Sequence, residues 1–304
     1  LVGRLGACRP TICALVGITL VISMFATNDM ALVMMLPLSA IMLISAGWGK
    51  HLAFTFVMQN LAANLGGMIM PFGNPQNLYL FERFHISLGD FLGTMALPFV
   101  VSVVLIAACC VVHLRGEGKT QAQVQAKRID GSRSKRDPDV VRDASDAPAT
   151  GGPVGPTYPV RVGGYCGMLA LVLLSVFRVI PFWIPLVLVV VMLAAWDRAA
   201  LRATDIGLLC TFVCFFIFAG NMSRIPAVQD VLSGLMAQAP LLVSAGFSQI
   251  ISNVPAAVLL AQFTTDWAPL LIGVNIGGAG TIIASLASLI TFAQYRKALA
   301  ANPD

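Results

Sequence analysis

Ile22–Leu38 reads ISMFATNDMALVMMLPL, two apolar flanks meeting at the polar tip Thr27-Asn28-Asp29. The flanks extend outward as the apolar runs Thr11–Phe25 and Met30–Ala46. Each is roughly 16 residues long, short of the about 20 that a spanning helix needs. The pair therefore predicts a re-entrant helical hairpin with its tip inside the membrane. A second pair, Leu241–Ile251 and Ala256–Phe263, meets at Ser252-Asn253-Val254-Pro255 and predicts another. Non-helical backbone at that depth survives only within protein or against a watery cavity. Both tips thus point to a binding site.

The composition around these tips agrees. Hydrophobic residues make up 58% of the 304, charged residues 11%, and the mean hydropathy is +0.84. A soluble domain carries about 25% charged residues, so most of the outer face must meet lipid. The net charge of +5 does not mark a nucleic-acid binder, because the basic residues sit at the ends of apolar runs or in one polar stretch. Further spans are expected at Leu52–Phe81, Phe91–Leu114, Val162–Val179, Phe182–Trp196, Ile206–Gly220 and Pro269–Ala293. Arg115–Tyr158 is polar, rich in Gly, Ser and Pro, and has no apolar face; it predicts a disordered linker. The expected organisation is a first transport repeat at 1–114, a cytoplasmic linker at 115–158 and a second transport repeat at 159–304. Basic residues cluster on the side of that linker and the C-terminus, which places both in the cytoplasm and the chain in the inner (plasma) membrane. No signal peptide precedes the apolar sequence, and the expectation is that N-terminal helices are missing.

Cys8, Cys13, Cys109, Cys110, Cys166, Cys210 and Cys214 form no CxxC pair and have no histidine at ligand spacing, so no metal site or disulfide is predicted. His51, His85 and His113 fall near segment ends and read as interfacial. The chain has no phosphate-binding GxxxxGK[ST] loop, and no cofactor is expected.

The halves repeat one design. NLGGMIMPFGNPQNLYLF at Asn64–Phe81 aligns with NIGGAGTIIASLASLITF at Asn275–Phe292, and Thr27-Asn28-Asp29 aligns with Ser252-Asn253-Val254. Counting crossings, the first hairpin opens to the cytoplasm and the second to the outside. The fold expected is an all-α polytopic membrane protein of inverted repeats, each with a re-entrant hairpin and a broken transmembrane helix.

ATNDMALVMMLPL, GGMIMPFGNPQN, ISNVPAAVLLAQF and NIGGAGTIIASLAS together resemble the ion-transporter superfamily of divalent-anion symporters, citrate permeases, arsenite pumps and one class of sodium/proton antiporters. The resemblance is closest to bacterial citrate-transporter-like anion permeases and covers nearly the whole chain outside the linker. It implies two or three further N-terminal helices, through which members of the superfamily build a homodimer.

The candidate site follows from the breaks. Thr27, Asn28, Ser252 and Asn253 place side-chain oxygens where helices stop in mid-membrane, and the free amides there favour anions. Gly67, Gly73, Asn74, Pro75 and Asn77 form the first broken segment, in which Pro75 disfavours helix at Asn74. Gly278, Thr281 and Ser285 form the second. Asn28, Asn74 and Asn253 are candidate sodium ligands. Asp29 brings a carboxylate near mid-membrane, where charge is costly and usually functional; it is suited to a proton or sodium ion. The function expected is secondary active transport of a small anion or organic acid, coupled to H+ or Na+, by alternating access. A Na+/H+ antiporter or an arsenite-like oxyanion efflux permease is the alternative, and a membrane-embedded enzyme the reading from another class.

Overall fold

The computed structural model describes residues 8–115 and 158–301; the expected linker, apart from its end residues, lies outside them. The described residues hold fourteen α-helices and no strand. α1 (Cys8–Phe25) and α2 (Asn28–Ser45) are separated only by Ala26 and Thr27. Each has 18 residues, about 27 Å of helix, and is longer than its apolar run. The extra residues are polar ones that suit a helix start: Asn28 and Asp29 occupy the first turn of α2, where free amides and the positive dipole end accept them. The stretch Leu52–Phe81, expected as a broken span, is two helices, α3 (Leu52–Gly67) and α4 (Pro75–Arg83), joined by residues 68–74. Pro75 opens α4, where its missing N–H costs nothing. α5 (Leu88–His113) starts at Ser87, whose hydroxyl accepts the Asp90 amide at 3.1 Å.

The chain divides into two compact units, one of Leu1–Glu117 with Asp205–Asp304 and one of Gly118–Thr204. Within the second, α6 (Tyr158–Val176) packs on α7 (Trp183–Trp196), and the short α8 (Arg198–Arg202) follows. Gly164 lets them approach, since a methyl there would lie 2.6 Å from the Trp196 ring. Tyr165 donates to Asp197 at 2.6 Å, and Asp197 caps α8 by accepting the Ala200 amide at 3.0 Å. Phe182, Trp183, Leu186, Val187 and Val191 are all exposed.

In the first unit, α9 (Ile206–Met222) turns by 97° into α10 (Pro226–Gln238), an amphipathic element that the hydropathy reading missed. α11 (Pro240–Ile251) and α12 (Asn253–Leu260) meet at Ser252. α13 (Trp267–Gly277) and α14 (Leu286–Ala301) form the span expected at Pro269–Ala293, broken at residues 278–285. α1 lies against α3, and α11 against α13, each by a glycine contact. A methyl on Gly66 would collide with the Ser23 hydroxyl and the Leu20 carbonyl; one on Gly277 would collide with the Ser248 hydroxyl and the Ala245 carbonyl. Small residues that admit such approach serve helix packing in membranes.

The two sequence halves interlock. α14 packs on α2 and α3, while α12 packs on α4. Two apolar cores result, one around Ile12, Leu32, Leu36 and Phe56 that takes in Ala287, and one joining Leu80 and Phe91 to Leu260 and Leu270. Outside these cores Leu97, Val104, Leu105 and Val213 stand exposed, a surface suited to hydrocarbon rather than water. Among the described residues, three helices are long and apolar enough to cross a membrane, and a fourth span forms if the bent α9–α10 pair is counted as one. The described residues form an all-helical structure with several apolar helices, in keeping with a polytopic membrane protein.

Candidate functional site

Four helix starts surround one cavity of about 520 Å³. Its wall includes Asn28 at the start of α2, Pro75 at the start of α4, Asn253 at the start of α12, and Leu286 at the start of α14. Each start carries the positive end of a helix dipole. Asp29 contributes the one full charge among the described residues that line it.

The tips are held in matching ways. The Asn28 amide donates to the Gly73 carbonyl at 3.2 Å, and the Asn253 amide donates to the Ala284 carbonyl at 2.8 Å. Each tip is thereby tied to the residue just before Asn74 or Ser285, the pair aligned by the repeat. Asn28 Oδ1 accepts the Asp29 amide at 2.9 Å, and Asn253 Oδ1 accepts the Val254 amide at 2.8 Å. Both carboxamide oxygens thus cap their own helices. The tips differ in backbone: Thr27 is extended at φ −66°, ψ 152°, whereas Ser252 sits at φ 79°, ψ 153°, a region that is otherwise nearly glycine's alone.

A buried carboxamide network joins the breaks. Asn275 Oδ1 accepts from Asn74 Nδ2 and from Gln76 Nε2, both at 3.2 Å. Asn275 Nδ2 donates to Asn77 Oδ1 at 2.7 Å and to the Leu271 carbonyl at 2.8 Å. Asn77 Nδ2 donates to the carbonyls of Met68 and Met70, both at 3.2 Å, which closes the turn after α3. On the other side Asn28 Nδ2 donates to Asn64 Oδ1 at 3.1 Å, and Asn64 Nδ2 donates to Asn60 Oδ1 at 3.2 Å. Asn60 Nδ2 donates to Ser288 Oγ at 3.1 Å.

Of the residues expected at the site, Thr27, Asn28, Asp29, Pro75, Ser252, Asn253 and Ser285 line the cavity. The rest do not. Gly67 and Gly73 press on each other, and a methyl on Gly73 would run into the Gly67 carbonyl. Asn74 faces Gly67 and Asn275, and Asn77 holds the turn. Gly278 packs against Asn253. Thr281 donates to the Gln249 carbonyl at 3.1 Å and lines a separate cavity of about 280 Å³ with Asn60, Ser288 and Tyr295. The wall also includes Thr211, Phe212 and Phe215 of α9, which no motif marks; Thr211, a hydroxyl in a run of apolar residues, was the available signal. Asn275 belongs to the repeat alignment, yet its role as the anchor of three carboxamides has no local signature. Among the described residues, no group of three His, Cys, Asp or Glu stands ready for a metal ion.

Residues 2–293 match the family model described as citrate transporter. The chain is 30% identical over 282 residues to the uncharacterized transporter MJ0456 of Methanocaldococcus jannaschii, covering 91% of this chain and 69% of that protein. It is 28% identical over 280 residues to the inner membrane protein YbiR of Escherichia coli K12, covering 88% of this chain and 65% of that one. The chain therefore spans about two thirds of the length of these relatives. No solved structure matches it. The family match across residues 2–293, almost the whole chain, means that this protein belongs to the citrate transporter family of membrane transporters.

Proposed function

We propose that the protein is a secondary active transporter of a small anion or organic acid, driven by H+ or Na+ and working by alternating access. One observation carries the reading: four helix starts, two at tips and two after breaks, line a single cavity together with Asp29. The positive dipole ends at helix starts attract anions without a Lys or Arg. A cavity of about 520 Å³ falls within the usual range for small-molecule sites, roughly 300–1,000 Å³. In this reading α1–α2 and α11–α12 are re-entrant hairpins, and α3–α4 and α13–α14 are broken spans of two inverted repeats, 1–114 and 159–304, joined by the linker 115–158. Matching bonds from Asn28 to Gly73 and from Asn253 to Ala284 support it, as repeats meeting at mid-membrane are how many carriers build a site. The linker and C-terminus lie in the cytoplasm.

Asp29 favours a second reading, a Na+/H+ antiporter; an arsenite-like oxyanion efflux permease is the other alternative. A carboxylate on the wall repels an anion unless a proton or a metal cation neutralises it, whereas exchange of cations uses it directly. A membrane-embedded enzyme fits less well, since the matching family model is described as citrate transporter and one relative is named a transporter.

The test is flux in proteoliposomes made with the full-length protein. Uptake of labelled citrate, succinate and arsenite is recorded under imposed proton or sodium gradients, with a pH dye inside. The expected result is saturable, gradient-driven flux of one substrate that Asp29→Asn abolishes. Flux that survives Asp29→Asn intact would reduce the carboxylate to a helix cap, and flux that never saturates would point to a channel.

A further inference from the structure

The cavity of about 280 Å³ beside the second break takes no part in the transport reading. One wall is α3 from Ala53 to Leu61, the other is α14 from Ser288 to Tyr295, and break residues 279–282 complete it. The two helices run antiparallel: Phe56 meets Tyr295 edge-on at 6.1 Å, and Asn60 donates to Ser288 at 3.1 Å. The break precedes α14 and so lies toward the Leu61 end, with Ala53 and Tyr295 at the other. From Ala53 to Leu61 the slot follows α3 for about 12 Å at 1.5 Å per residue. That is close to the depth of one leaflet, half of a hydrocarbon core about 30 Å thick.

Among the described residues, no charged side chain lines this slot. Its polar groups are engaged inside the protein: Thr281 donates to the Gln249 carbonyl at 3.1 Å and Thr291 to the Ala287 carbonyl at 2.9 Å. Water gains little in such a space. Val57, Ile282 and Phe292 on its wall are 55%, 52% and 46% exposed, so the slot opens onto apolar surface of the kind that meets hydrocarbon. The charge stands at one end only. Lys50 precedes Ala53 by three residues, and Arg296 lies one turn beyond Phe292 on the same face of α14, with Lys297 beside it. All three are exposed. Because the helices are antiparallel, these cations gather at the Ala53–Tyr295 end. A slot one leaflet deep, apolar along its length and basic at its mouth, fits an anionic phospholipid.

We propose that this slot holds one acyl chain of an anionic phospholipid, whose phosphate meets Lys50, Arg296 and Lys297. The lipid braces the second break. On one side Gly280 and Thr281 rest on Gln249; on the other the acyl chain fills the space beside them. The same break ends at Ala284, whose carbonyl holds the tip through the Asn253 amide. The site lies apart from the transport cavity and requires only that the protein sits in a bilayer.

The test uses the purified full-length protein in detergent. It is irradiated with phosphatidylglycerol carrying a photoactivatable acyl chain, and its melting temperature is titrated with dioleoylphosphatidylglycerol or dioleoylphosphatidylcholine. The expected result is cross-links within residues 53–61 and 279–295, and a saturable rise in melting temperature. Half-saturation should need about tenfold less phosphatidylglycerol than phosphatidylcholine. Arg296→Gln combined with Lys297→Gln should remove that preference. Arg198→Gln combined with Arg202→Gln, an equal change of charge on α8, should leave it intact. Ala53→Phe fills the slot and should abolish the cross-links, while melting without lipid reports folding. Glycerol 3-phosphate, a head group without chains, should give no rise. Absence of cross-links from both segments overturns the site and means that protein covers the slot. Cross-links undiminished by Ala53→Phe, equal loss of preference in both double variants, or a rise with glycerol 3-phosphate also overturns it.

Discussion

The first break, residues 68–74, is crowded with carboxamides: Asn64 before it, Asn74 at its end, Gln76 and Asn77 just beyond. The second, residues 278–285, offers Thr281, Ser285 and Ser288 instead, with Asn275 as its carboxamide. Both tie a tip to the chain by one amide-to-carbonyl bond of similar length. They divide the remaining tasks. The first break supplies buried oxygens without a donor and a relaxed tip at Thr27; the second supplies the anchor that orients those oxygens and a strained tip at Ser252. Two halves with one geometry can thus carry different chemistry, because the helix break is set by small residues and the chemistry by the side chains beside it.

The sharpest way to break this comparison is to exchange the carboxamides at its two ends. Asn275→Leu leaves Gln76 Nε2 and Asn77 Oδ1 without their side-chain partner, an expected cost of about 4 kcal/mol at 1–3 kcal/mol per buried group. Its aligned counterpart Asn64→Leu strips the side-chain partner from Asn28 Nδ2 and should cost about half as much. Melting temperatures in detergent check the order, and a larger loss at Asn64 would reverse the division of tasks. The glycines give a second contrast. Gly73→Ala drives a methyl into the Gly67 carbonyl and should cost about 2–3 kcal/mol. The second half already accommodates a buried alanine at the aligned Ala284, so Ala284→Gly should cost no more than about 1 kcal/mol. Equal losses in a melting assay would mean that the two breaks are packed alike.

The tips give the smallest effects. Ser252→Gly removes strain of about 1–3 kcal/mol, offset by glycine's entropy of about 0.5–1 and by the lost hydroxyl bond to the Ala284 carbonyl at 3.2 Å, about 1 kcal/mol. The net should be neutral or a slight gain in melting temperature. At Thr27 there is no strain to remove, and Thr27→Gly should lower it by the equivalent of about 0.5–1 kcal/mol. A drop of equal size at both tips would show that Ser252 is not strained.

Much of this was legible along the chain. The apolar runs, the tips Thr27-Asn28-Asp29 and Ser252-Asn253 and the glycine pairs 66–67 and 277–278 are local, and seven of the thirteen expected site residues reach one cavity. Helix lengths were less legible, because hydropathy stops at Asn28 and Asp29 whereas a helix start welcomes them. α10 was missed because its apolar residues are interleaved with Gln229, Asp230 and Gln238. Asn74 and Asn77 carried the right residue types for ligands, but one faces Gly67 and Asn275 while the other holds a turn.

The sequence by itself determined that this protein lives in a bilayer, that its helices break at paired glycine- and asparagine-rich places, and that one carboxylate stands at a tip. Those are consequences of transfer free energy and backbone propensity, which act residue by residue. Only the tertiary structure decided which oxygens are left free. Asn74 and Gln76 meet Asn275 across 201 and 199 residues of chain, and the direction of a carboxamide depends on which partner reaches it first in space. Hydrogen-bond orientation is a property of that meeting, so no reading of either segment alone contains it.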